Sequence, residues 1–263
     1  MSAVITVSAR IGALLPAIVL VVALLLAWEA YVRFSGVNPL LLPGPVRILE
    51  SLWTFRDDAL RHAIPTIVET VAGFAISVVL AIAAAVAMDR VDLVRRALEP
   101  LLVVSQTIPV VAIAPLLVLW FGFGIAPKIL VVVLVTFFPV TIALLAGLRS
   151  ASRELTDMTH SFGATDWQEL RLLRWPAALP YLFTGLRISV VYAVIGAVFG
   201  EYVGAREGLG IWMQLSQNAF RTDLVFAAIV VTAAVSLSLY AAITALQRVL
   251  VPWSPGVRTE GSS

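Results

Sequence analysis

Long apolar runs separated by short polar stretches dominate this chain. Six of them reach the roughly 20 residues that cross a bilayer as a helix. They cover residues 11–32, 64–88, 98–121, 126–148, 177–201 and 225–250. After the prolines of NPLLLPGP, residues 46–53 form a short amphipathic pattern that predicts a helix lying on the interface. The first run follows Arg10 and is too long for the core of a cleaved signal peptide, so we expect an uncleaved first span. Apolar residues make up 60% of the chain and charged residues 13%, where a soluble domain carries about 25% charged residues. The pattern predicts an all-α integral membrane protein of about six transmembrane helices. It forms one membrane domain over residues 1–253, and the polar tail 254–263 is expected to be disordered.

The longest polar interruption in the second half is DMTHSFGATDWQELRLLRWPAALPYLFTGLR, residues 157–187. Leu155, Met158, Thr159 and Phe162 share one helical face by their spacing of three and four. Gly163 follows, the residue suited to a left-handed helix cap. Thr165 stands three residues before Gln168, the capping-box spacing for a new helix. Asp166 and Glu169 then occupy its first turn and Arg171 and Arg174 its last, the order a helix dipole favours. Pro176 is expected to stop this helix, and Pro180 to sit in the first turn of the next span. A membrane-surface helix favours Lys and Arg on its polar face. This segment mixes acids with bases, which suits a protein partner better.

Eleven of the 18 basic residues fall on the side of the N-terminus and seven on the other, with arginines concentrated in 89–96 and 149–174. The positive-inside rule therefore assigns both termini and the 149–176 loop to the cytoplasm. The net charge of +2 carries no nucleic-acid signal in such a chain.

These residues carry a resemblance. The loop resembles the EAA loop of binding-protein-dependent ATP-binding cassette (ABC) importer permeases. Asp157, Met158 and Thr159 stand at the E-A-A positions, Gly163 and Ala164 at the following G-A, and Trp175-Pro176 at the Leu-Pro. The triplet is degenerate here, with Asp for Glu and neither alanine. Gly185-Leu186-Arg187 matches well, as do QTIPVVAIAPLLVLWFG and GEYVGAREGLGIWMQLSQNAFRTDLVFAAI, which resemble the nitrate/sulfonate/taurine branch. The resemblance implies a type I importer permease in a bacterial inner membrane. It implies a second permease subunit, most often an identical one, two cytoplasmic ATP-binding subunits and an extracytoplasmic substrate-binding protein. The coupling surface it implies comprises Asp157, Met158, Thr159, Phe162, Gly163, Ala164 and Pro176. The chain has no GxxxxGK[ST] loop, so ATP and Mg are expected on partner subunits and no cofactor on this one.

Polar residues inside spans are candidates for the translocation path. Glu69, Gln106, Thr107, Tyr192, Gly196, Glu201 and Ser236 form that set. All but Glu201 have a simpler reading: interfacial pairing for Glu69, interhelical hydrogen bonding for Gln106 and Thr107, close packing for Tyr192 and the Gly196/Gly200 pair, and a bond back to its own helix for Ser236. If Glu69 and Glu201 both face the path, they disfavour nitrate and sulfonates and lean towards a neutral or cationic heterocycle. The chain also resembles the subgroup assigned to hydroxymethylpyrimidine, a thiamine precursor. No cysteine is present, and two histidines make a metal site an unexpected feature. HExxH and GxSxG are absent, so a transport subunit and not an enzyme is expected. The competing reading is a secondary transporter or channel that needs no ATP. The structured loop and the lack of an internal repeat weigh against it.

Overall fold

The computed structural model describes residues 2–253, apart from the side chains of 2–14 and 153. The expected disordered tail 254–263 lies outside the described residues, and the Arg10 side chain outside the described side chains. The regular elements of the described residues are all helices, eleven α-helices and one π-helical stretch. Five helices are long and apolar enough to cross a membrane: α1 (Ser2–Phe34, apolar from Leu15), α3 (Arg56–Arg90), α6 (Ile125–Leu148), α9 (Trp175–Tyr202) with the turns before it, and α11 (Thr222–Leu250). The short helix expected at residues 46–53 is α2 (Pro45–Thr54), with proline at its first position. A short helix α10 (Leu209–Asn218) precedes α11.

The third expected span is not one rod. It is α4 (Asp92–Ser105) and α5 (Val110–Phe121), bent by 104° at a four-residue break. Pro109 is the cause. It has no N–H to donate and biases Ile108 away from helical backbone. The chain tightens as it leaves α4, with Thr107 N donating to Val104 O at 3.0 Å and Ile108 N to Ser105 O at 3.4 Å. Pro115 lies inside α5.

Two compact units divide the chain. The first holds residues 1–59 and 212–230. In it Glu29 of α1 accepts from Val46 N at the start of α2, 3.1 Å, and from Arg33 Nε, 2.6 Å. Arg221 donates to both oxygens of Asp223, which also accepts from Ser51 Oγ at 2.7 Å.

The second unit holds residues 60–211 and 231–263. Its centre is the pairing of α6 with α9. In hydrocarbon, burying apolar surface gains little, so helices associate by close packing and internal hydrogen bonds. Small residues set that closeness: a Cβ on Gly185 would meet the Ala143 Cβ at 2.6 Å, and one on Gly196 the Val135 Cγ2 at 2.8 Å. Around the seam pack Ala81, Ala85 and Met88 of α3 and Leu102 of α4.

Gly185→Val should therefore overpack the seam and cost about 1–3 kcal/mol. Thermal unfolding of the detergent-solubilised protein checks this, with a lowered midpoint expected.

Candidate functional site

Three features of the second unit carry polar chemistry. The deepest is a charge cluster. Lys128 of α6 donates to Glu69 Oε1 of α3 at 2.6 Å, with both side chains almost wholly buried. Glu201, near the end of α9, is 0% exposed. It accepts from Thr66 Oγ1 and from Gly210 N, each at 2.6 Å. Thr66 in turn accepts from Leu209 N at 2.9 Å. Gly208 has a φ of 140° and lies against the Glu201 carboxylate, where any side chain would collide with it. Beside the cluster Arg61 donates to Glu207, 2.6 Å from Nη2, and holds that carboxyl below the usual carboxylate range.

From the sequence, Glu69 and Glu201 are candidates for the path that would disfavour anions if both faced it. The structure buries both inside the chain, and Lys128 offsets the charge of Glu69. With both carboxylates buried, the condition under which they would disfavour anions is not met. Lys128 was missed as a partner. Its signal was there, a single lysine near the start of an otherwise apolar span.

The second feature is a cavity of about 340 Å³ between the α4–α5 bend, α6 and α9. Ser105, Gln106, Phe138 and Tyr192 line it with Ile108 and Leu134. Gln106 and Tyr192, both singled out from the sequence, are thus brought together. Thr107 is not among the lining residues, and its hydroxyl donates to Val104 O at 2.7 Å. Gly196 is buried in the α6–α9 seam and Ser236 is half-buried on α11. Tyr192 also borders a second cavity of about 440 Å³ with Arg187, Thr184 and Tyr240.

The third feature is the polar loop. Helix α7 (Arg153–Ser161) is capped by Ser152, whose Oγ accepts from Leu155 N at 3.3 Å. It ends at Gly163, φ 79°, with Gly163 N donating to His160 O and Ala164 N to Thr159 O. That pair of bonds is a Schellman cap, and its left-handed residue favours glycine. The capping box forms: Thr165 N donates to Gln168 Oε1 at 2.8 Å and Gln168 N to Thr165 Oγ1 at 3.3 Å. Helix α8 (Asp166–Glu169) does not stop at Pro176, however. It runs through a π-helical stretch, Leu170–Arg174, straight into α9. There Trp175 N donates to Leu170 O. The wider turn already breaks the i→i−4 ladder, so the missing N–H of Pro176 is accommodated. Pro180 consequently lies within the helix and not at its start.

Arg174 ties this junction down. It pairs with Asp89 and donates to Leu148 O at 3.1 Å. The outer face of the loop stays open: Met158 is 55% exposed, Phe162 80% and Trp167 64%. Asp157 is exposed, while Thr159, Ala164 and Pro176 are half-buried. Among the described residues, His160, Asp166 and Glu169 bring one potential metal-ligand atom each within 4.8 Å of one another. His160 already pairs with Glu169 at 2.9 Å, and Arg174 lies 3.9 Å from the same carboxylate. The His160–Glu169 contact therefore links α7 to α8.

The family described as binding-protein-dependent transport system inner membrane component matches residues 77–253. The formylaminopyrimidine transport permease protein ThiX of Halalkalibacterium halodurans is 40% identical, over 88% of this chain and 92% of its own. The riboflavin transport system permease protein RibX of Chloroflexus aurantiacus is 38% identical, over 88% and 87%. The taurine transport system permease protein TauC of Escherichia coli is 34% identical, over 88% and 86%. Among solved structures, an inward-facing MetNI methionine ABC transporter superposes with a TM-score of 0.60 at 19% identity, covering 76% of this chain and 97% of that one.

Lys128→Met would leave Glu69 buried without its cation and should destabilise the protein by about 3–5 kcal/mol. Adding Glu69→Met should recover much of that loss. Thermal unfolding of the two single variants and the double variant forms the cycle that measures it.

Proposed function

The chain belongs to the family of binding-protein-dependent transport system inner membrane components, and from that premise we propose that it couples solute import to ATP hydrolysis on separate subunits through its 149–176 loop. It is a multi-pass membrane permease of the ABC importer type and not an enzyme. In the proposed assembly two copies of the chain form the translocation path. Two ATP-binding subunits, which hold ATP and Mg, dock on the cytoplasmic side, and an extracytoplasmic binding protein delivers the solute. Both termini lie in the cytoplasm, in keeping with the arginine-rich loops.

The observation that carries this reading is the loop's combination of openness and rigidity. Leu155, Met158, Phe162 and Trp167 are exposed apolar side chains on a segment otherwise rich in charge. A patch of that kind, rimmed by polar groups, marks a protein interface. Caps at both ends of α7 and at the start of α8 fix its shape. The unbroken helix from Asp166 to Tyr202 joins it to a span, so a displaced loop carries the span with it.

The solute is a small heterocycle of the pyrimidine class. Two of the three relatives named above carry riboflavin or formylaminopyrimidine in their names, and the pyrimidine relative is more similar than the taurine one. A taurine-like sulfonate is the second reading, favoured by the cavity that includes Arg187.

Gly163→Arg should uncouple the machine. Any side chain with a Cβ at φ 79° strains the elbow between α7 and α8. In proteoliposomes with the ATPase and the loaded binding protein, import should fall at least tenfold while the ATPase keeps its basal turnover. Normal import by this variant would disprove the coupling role.

A further inference from the structure

The cavity at the α4–α5 bend combines groups that seldom converge in a membrane span. Its lining offers two aromatic side chains, Tyr192 from α9 and Phe138 from α6. It offers one carboxamide, Gln106, and one hydroxyl, Ser105, both at the bend. No Asp, Glu, Lys, Arg or His lines it among the described residues. The ionisable groups of the same unit are elsewhere: Glu69, Lys128 and Glu201 are buried in their own cluster, and Arg187 borders the neighbouring cavity.

Each of these facts narrows the occupant. A cavity without charge penalises an anion, which would lose its hydration and find no cation in return. Aromatic side chains stack on planar rings and tolerate many ring types, because every ring has a π-face. A carboxamide places a donor beside an acceptor. That is the pattern by which glutamine reads an exocyclic amino group next to a ring nitrogen in adenine. Gln106 is exposed, and its only described protein bond is a long one, 3.4 Å from Nε2 to Leu102 O. Tyr192 is 51% exposed. The hydroxyl hydrogen of Ser105 goes to Leu102 O at 2.8 Å, which leaves its oxygen to accept. A volume of about 340 Å³ lies at the small end of ligand pockets, which start near 300 Å³.

We infer that this cavity is the membrane binding site for one uncharged planar heteroaromatic ring bearing an amino group beside a ring nitrogen. Tyr192 and Phe138 stack on the ring, and the Gln106 carboxamide reads its amino edge. This rests on the import reading above and deepens it: the bent span is where specificity enters the path, after the binding protein has released its load. Pro109 is then a positioning residue, since the bend it causes turns Gln106 into the cavity.

The test uses the full complex of permease, ATPase and binding protein in proteoliposomes. The probes are radiolabelled 4-amino-5-hydroxymethyl-2-methylpyrimidine and, in parallel, taurine. The permease variants are Gln106→Leu, Tyr192→Leu and the conservative Tyr192→Phe, each checked by co-elution of its ATPase on size exclusion. We expect pyrimidine uptake to fall at least tenfold in Gln106→Leu and Tyr192→Leu, with KM rising, and to stay within twofold of the wild type in Tyr192→Phe. Unchanged pyrimidine uptake in both leucine variants overturns the site. Import of taurine but not the pyrimidine by the wild type overturns the ligand class while leaving the importer reading intact. If the loaded binding protein fails to stimulate the wild-type ATPase at all, the importer reading itself falls.

Discussion

The seam between α6 and α9 is the contact on which the second unit depends. Its depth is set by residues too small to hold the helices apart, notably Gly185 and Gly196. The same approach continues to Gly200, where an added Cβ would sit 3.1 Å from the Lys128 Cα. Lys128 thus enters the interior because α9 lies close there, and from that position it reaches Glu69 on α3. A lysine and a glutamate taken out of water recover their hydration loss only with short, well-directed bonds. The buried pair and the packed seam therefore stand or fall together. The wall of the bend cavity, built from Leu134, Phe138 and Tyr192, belongs to the same two helices.

Against that fixed seam stand two places where a helix departs from the regular α form. At Pro109 the departure is complete, and the chain turns through 104°. Irregular backbone at membrane depth is tolerated where it borders a cavity or is buried in protein, and this bend borders one. At Leu170–Arg174 the departure is a single widened turn, and the helix continues. The first break creates a pocket, while the second preserves a mechanical connection.

Much of this was legible in the sequence because membrane spans obey a length rule. Residues 64–88, 126–148, 177–201 and 225–250 fall inside α3, α6, α9 and α11. The loop caps were equally legible, since Gly163 and the Thr165–Gln168 pair act through bonds within a few residues. What failed involved either a choice among local outcomes or a distant partner. Pro109, Pro115 and Pro176 look alike in sequence, yet one bends a span, one sits within a helix and one is carried through by a π turn. Glu69 and Lys128 are separated by 59 residues, and hydropathy does not encode which buried charges meet.

The continuous helix from Asp166 to Tyr202 counts 37 residues. At 1.5 Å per residue that is a rod of about 55 Å, well beyond the roughly 30 Å of hydrocarbon it crosses. In the proposed assembly such a rod would act as a lever with its fulcrum within the bilayer. Tilting it by about 10° around its midpoint would sweep each end through roughly 5 Å, from the rise per residue alone. One end carries the exposed apolar face of the loop, and the other carries Glu201 with the backbone folded onto it. In that assembly a push on one side of the membrane would arrive on the other as a displacement of similar size in the opposite direction. No chain of intermediate contacts is needed to relay it.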